Sequence, residues 1–466
     1  MSIQLDFEPA QPMLAQRAEP QLCYTLVTLS AQATGSRMRA VNWALVADAS
    51  RSMRIPIVNE QQFRQLVREG NAQEVLIDGI PVWQLAHPVP SDLHEMAPSA
   101  IDYTARALHS IVEQLDRTDR FSLVACAEES EILIGNTSGA DRTRLVQGIG
   151  HLKHTHLGEE TDLAQGVQLG LQELARGRNN VDAHTERLLL LTDGFTRHPE
   201  RCLELARQAA TTGVAISTIG LGGEFQEDLL TSLADVSGGR AIFLGDAEAI
   251  PRAMAQELAM ARSVMLRSVT LTLALSRGVT LRRVTQIHPT LRMLEVIPPA
   301  NTPPMWMAHV GDIEQTTPVV LLLELIAPPI SAATTATQQS GGDQPAMRRV
   351  RLAQLTLHSR DAPVTTHDLV VSYAFAPPPL PPVVLDAAAR ANAAWLQRRA
   401  LEAASSGDQA SAMALLQAVA ARLTDLGEPV LAATALAEAA ALQQTGQTTR
   451  LGAKELTYAT RRLGQG

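Results

Sequence analysis

Residues Val41 to Met53, VNWALVADASRSM, constrain this chain more than any other stretch. An apolar run from Trp43 to Ala47 turns abruptly polar at Asp48, Ser50 and Ser52. A short, unbroken apolar run closed by a polar turn predicts a strand buried on both faces, as in parallel sheets covered by helices. In open α/β sheets, ligands bind beyond the carboxyl ends of such strands. Asp48, Ser50 and Ser52 therefore stand where a site belongs, three oxygen-bearing side chains within five residues. Magnesium takes near-octahedral oxygen coordination and prefers one or two carboxylates to an all-carboxylate cage. The expectation is a metal site completed from elsewhere in the chain.

Two partners are in place. GEETDLAQGVQLGL predicts a polar loop followed by a helix, with Thr161 near its N-terminus. RLLLLTDG repeats the first pattern, an apolar run ending in Asp193-Gly194. Together these residues resemble the von Willebrand factor type A (VWA) domain and its metal-ion-dependent adhesion site (MIDAS), whose motif is Asp-x-Ser-x-Ser, then Thr, then Asp. DRFSLVAC, GVAISTIGLGG and SGGRAIF resemble further strands of that family, so the likeness covers about residues 41 to 260. It implies a Rossmann-like α/β fold with a doubly wound, mostly parallel sheet. It also implies Mg²⁺ (or Mn²⁺ or Ca²⁺) held by Ser50, Ser52 and Thr161, with Asp48 and Asp193 direct or through water. The family usually has Gly where this chain has Arg51, and commonly Gly where it has Glu160. Arg51 is expected to lower cation affinity and Glu160 to add a carboxylate to the rim, and both are candidate partner contacts.

Bulk properties narrow the class. With 466 residues, 45% of them hydrophobic, the chain can bury a large core and should hold two to four domains. A net charge of -9 without a Lys/Arg block argues against nucleic acid. Three scattered cysteines, Cys23, Cys126 and Cys202, point to a reducing compartment. No basic segment followed by an apolar one opens the sequence, and the longest membrane-span candidate, Val319 to Ile326, is interrupted by Glu324. The expected location is the cytoplasm.

The rest of the chain divides by pattern. Residues 1–40 contain QLCYTLVTLS, an alternating strand that needs a sheet edge to pair with and is expected to join the β-sandwich later in the chain. After Met53 come about forty extra residues, an insertion over roughly 54–92, before the first long helix near Pro98. A short helix stopped by Gly70 and a hairpin, VLIDGIPVW, around Asp78-Gly79 are predicted there, the hairpin weakened by Pro81. Because the insertion leaves from the Ser52 loop, it must sit on the face of the site. Ile80, Val82 and Trp83 are candidate partner contacts, the alternative being a surface subdomain. Residues 261–375 hold repeated strands without helices, which predicts a β-sandwich, interrupted by a low-complexity loop at Ser331 to Gln344. Residues 376–383 form a proline-rich hinge, and 384–466 a helical domain with helices at 384–404, 408–426, 428–444 and 450–463. One helical segment resembles a tetratricopeptide unit without its aromatic anchors; a structural cap and a peptide-binding groove both fit.

Two smaller signals carry less. His151, His154 and His156 stand before Thr161, but no second cluster completes a transition-metal site, so a solvated loop is the reading. Gly220, Gly222 and Gly223 mark a tight strand-to-helix turn rather than a dinucleotide fingerprint.

The functional expectation is a binding module in which the cation takes an Asp or Glu of a partner protein. One alternative is a hydrolase with metal-activated water, for which only Glu160 and His156 lie near enough in sequence to serve as base. The other is a scaffold with a vestigial site, against which the intact ligand set argues. Resemblance to intracellular multidomain members implies an AAA+ ATPase, a kinase or a phosphatase as partner, and assembly or signalling rather than catalysis.

Overall fold

In the computed structural model the described residues are 3–9, 13–33, 39–58, 60–77, 80–85, 97–178, 184–297, 305–329 and 348–465. Strand Val41–Asp48 lies inside a six-stranded sheet ordered Ala241–Leu244, Ala215–Leu221, Thr185–Thr192, Val41–Asp48, Arg120–Cys126, Ser130–Ser138. All pairs are parallel except the last. Every residue of Val41–Asp48 is buried. Trp43, Leu45 and Ala47 join Leu189 and Leu191 in a core with helices Ala100–Gln114 and Ile250–Ser263. Ala44 and Val46 join Leu188 and Leu190 on the opposite face, under helices Leu163–Arg176, Pro199–Thr211 and Glu227–Ser237. This two-sided burial is why the strand has no polar face, and it confirms the doubly wound arrangement.

From Val41–Asp48 the chain crosses to Arg120–Cys126 on one side, and the later strands build outward on the other. The strand order thus reverses between Val41–Asp48 and Thr185–Thr192, the crevice where such sheets bind ligands. Asp48 ends the first of these strands and Asp193 follows the second.

Two further sheets face each other across one apolar core. Strand Gln21–Ala33 sits between Ile3–Pro9 and Val319–Ala327. Its Cys23, Val27 and Leu29 point into that core, while Leu26 points outward beneath the helical domain. Helices Pro382–Ser405, Gln409–Asp425, Pro429–Thr445 and Arg450–Arg462 cover this outer face, burying Leu26, Ile287 and Leu322. The first begins at Pro382, inside the stretch read as a hinge, because proline's missing N–H costs nothing in the first turn. Gly407, Gly427 and Gly446 separate the helices in left-handed conformations that L side chains resist. Among the described residues no helix is long and apolar enough to cross a membrane.

The insertion is pinched at its base, where Pro56 bridges Ser99 and the Ile57 N–H donates to Pro98 O at 3.3 Å. Helix Glu60–Arg68 and hairpin Ala72–Ile77/Ile80–Leu85 make a small core of their own, with Leu66, Ala72 and Ala97 buried. Ile77 pairs with Ile80. The turn residues Asp78 and Gly79, the side chains of Ile80, Val82 and Trp83, and the Ser331 to Gln344 stretch lie outside the described residues.

Candidate metal centre

Three loops converge at the reversal of strand order. The Asp48 carboxylate is completely buried. Its Oδ1 accepts from the Ser50 N–H at 2.9 Å, and its Oδ2 accepts from Thr192 Oγ1 at 2.6 Å. Thr161 Oγ1 lies 3.5 and 3.4 Å from the two carboxylate oxygens. Ser50 Oγ is 3.1 Å from Ser52 Oγ, and Ser52 Oγ donates to Asp193 Oδ1 at 2.7 Å. Asp48, Ser50, Ser52, Thr161 and Asp193 therefore form one hydrogen-bonded constellation, although they span much of the domain in sequence.

Local structure explains how each arrives. Thr161 precedes helix Leu163–Arg176, whose first turn is held by Asp162 capping Ala164 and by Thr196 Oγ1 accepting from the Leu163 N–H at 2.9 Å. Thr196 is fixed in turn by Gln226, whose side-chain oxygen accepts from the Thr196 N–H at 3.1 Å. Arg54, just past Ser52, donates to the carbonyls of Lys153 at 2.8 Å and Leu152 at 3.3 Å, and also to that of Thr155. Sequence reading singled out none of Thr192, Thr196, Gln226 or Arg54. Only Thr192 carried a local signal, as the polar residue closing an apolar run.

The electrostatics are those of a centre short of positive charge. Burial holds the Asp48 carboxyl above its ordinary range despite the donors around it. Burial, then the charge of Asp48, raises Asp193 to about 6. The nearby cations are turned elsewhere: Arg51 pairs with Glu159 at 3.6 Å, and Arg197 pairs with Glu160 and, at 3.3 Å, with Glu128. Two confined carboxylates and three hydroxyls fit a hard divalent cation, which would relieve their mutual repulsion. Thiolate and imidazole are missing from the set, so it does not have the chemistry of a structural zinc site. Among the described residues no group of three His, Cys, Asp or Glu side chains is placed to hold a metal. His151, His154 and His156 are exposed and belong to no such group. Gly222 adopts a left-handed turn, and a side chain on Gly220 would collide with Phe225 at 2.5 Å, so these glycines serve packing.

Residues 94–256 match the family profile of the von Willebrand factor type A domain, and 382–466 match the Sll0103-like, C-terminal alpha-helical domain. The first match begins after the insertion, so strand Val41–Asp48 lies ahead of it in sequence while pairing at the centre of its sheet. A curated relative, the uncharacterized protein sll0103 of Synechocystis, is 29% identical over 126 residues, which is 27% of this chain and 29% of that protein. The match thus spans less than a third of that relative's length. Among solved structures, a von Willebrand factor type A protein from Catenulispora acidiphila superposes with a TM-score of 0.69 at 15% identity, over 98% of this chain and 96% of the other. The ArnB paralog VWA2 from Sulfolobus acidocaldarius gives 0.51 at 14% identity over 100% of both chains. At such identities the likeness is one of fold.

Proposed function

We propose that this VWA-containing chain is a metal-dependent protein-binding module whose Asp48, Ser50, Ser52, Thr161 and Asp193 form a MIDAS for Mg²⁺, or for Mn²⁺ or Ca²⁺. The observation that carries this reading is the hydrogen-bonded run from Thr161 and Asp48 through Ser50 and Ser52 to Asp193. Bound there, the cation supplies an open, positively charged position for an Asp or Glu of a partner protein. The chain's own residues confine the carboxylates, orient the hydroxyls and leave Glu159, Glu160, Arg51 and Arg197 on the exposed rim. An intracellular partner of the AAA+ ATPase, kinase or phosphatase class belongs to the same proposal. Hydrolysis draws less support, because Glu160 is committed to Arg197 and His156 is exposed in a loop. Titration calorimetry with Mg²⁺ and Mn²⁺ tests the site: wild type should bind, and Asp48→Ala and Asp193→Ala should lose most affinity. Equal affinity in wild type and Asp48→Ala would overturn the assignment.

A further inference from the structure

Three consecutive residues connect the candidate metal centre to the last helix of the chain. Phe225 is buried beneath that helix, its ring 6.4 Å from the ring of Tyr458 and 4.1 Å from Lys454 Nζ. Gln226 turns the other way and accepts from the Thr196 N–H, three residues beyond Asp193. Glu227 returns to the helix, where Thr457, Lys454 and Arg461 act on its carboxyl. Lys454 also donates to Gly223 O, so the turn before Phe225 is held from the same side.

The seam between Glu227–Ser237 and Arg450–Arg462 is pinned at one end, where Arg461 donates to both carboxylate oxygens of Asp235 at 2.8 and 2.6 Å, and leaves polar atoms unpaired along the rest. Glu227 Oε1, the Tyr458 hydroxyl, Thr460 Oγ1 and Arg461 Nε are all buried without a partner among the described residues. Each such atom costs about 1–3 kcal/mol. Clefts of about 660 and 680 Å³ border the seam, one reaching Phe195 beside the centre and the other running between Arg398 and Thr460. Local opening of one packed element need not unfold the whole domain, so such a helix can undock as a unit.

We propose that helix Arg450–Arg462 is a latch: its docking on Phe225 positions the 193–197 loop through Gln226, so latch docking and cation binding are linked. This rests on the metal reading for its consequence, but the link itself exists without a cation. Glu227 makes the latch sensitive to pH. Burial raises its carboxyl to about 7; Asp228 adds to the rise, while Thr457, Lys454 and Arg461 oppose it. The other charged or titratable groups around it are Tyr458, Asp235 bound to Arg461, and Glu224 paired with Arg450, while Arg207, Arg398 and Glu402 line the neighbouring cleft beside Asp228. A docked carboxyl that holds its proton above its ordinary range favours docking at low pH and weakens it as pH rises toward 7. Between pH 6 and 8 the loss is roughly tenfold.

Hydrogen exchange on the full chain tests the link. Without cation, Lys454→Met should speed exchange in 450–462 and in 193–197, and in a Gln226→Ala background the second effect should vanish. Raising pH from 6 to 8, after correction for intrinsic rates, should speed exchange in 450–462 about tenfold in wild type and not in Glu227→Gln. Exchange at 193–197 that stays constant while the helix loosens, by either route, overturns the latch. An equal pH response in Glu227→Gln overturns the role of Glu227. Saturating Mn²⁺ should protect 450–462 in wild type but not in Gln226→Ala; calorimetric Mn²⁺ binding without that protection also overturns the link. Absence of Mn²⁺ binding overturns the metal reading alone, and the cation-free arms still decide the latch.

Discussion

Thr192 Oγ1 donates to Asp48 Oδ2 at 2.6 Å, tying together the carboxyl ends of two neighbouring parallel strands where the sheet order reverses. The same hydroxyl accepts from the Gly194 N–H at 3.2 Å, so one buried side chain sets both the carboxylate and the loop that carries Asp193. A group outside the expected ligand set thus orients the more deeply buried of the two carboxylates at the centre.

Thr192→Val keeps the shape and removes the hydroxyl. A hydrogen bond to a charged group contributes about 1.5–3 kcal/mol. The variant should stay folded and bind Mn²⁺ roughly tenfold or more weakly. Calorimetry showing wild-type affinity would mean that Thr192 does not position Asp48.

Asp193 makes the cation-free protein sensitive to pH. Its folded value of about 6 lies above the ordinary 3.8, so the folded state holds the proton more tightly. Stability without cation should therefore fall as pH rises from about 4 to 6, by at most about 3 kcal/mol. Asp193→Asn should flatten that fall and melt higher than wild type at pH 7 in EDTA. A wild-type pH profile in the variant would show that the carboxyl is not confined as described.

Gly166 lets helix Leu163–Arg176 approach the sheet. A Cβ there would lie 2.8 Å from Val46 Cγ1 and 2.9 Å from Cys126 Sγ. Gly166→Ala should push the start of the helix outward and carry Thr161 with it. Overpacking of this kind costs about 1–3 kcal/mol. Both the urea midpoint and Mn²⁺ affinity should drop; a drop in stability alone would uncouple Thr161 from the centre.

The insertion can be removed as a unit, because it has its own small core and a pinched base. Replacing 58–90 by a short Gly/Ser linker should leave the melting transition and Mg²⁺ binding intact. It should also abolish capture of the polypeptide that co-purifies in Mg²⁺ and is lost in EDTA. A folded deletion that still captures the same polypeptide would end the recognition role of Ile80, Val82 and Trp83.

The sequence by itself determined the central strand and the polar turn at Asp48, because an unbroken apolar run and its end are local signals. It likewise placed Thr161 and Asp193 at the ends of their elements, and the hairpin of the insertion through a two-residue spacing. The bond from Thr192 to Asp48 spans 144 positions and that from Gln226 to Thr196 spans 30, and no periodicity records either. Strand Gln21–Ala33 alternates as if one face met solvent, yet the helical domain covers Leu26, a burial decided by a segment hundreds of residues away. Tyr458 packs against Phe225 and Phe243 for the same reason. Local pattern specifies an element and its inward face, whereas only the assembled chain decides what meets the face left over.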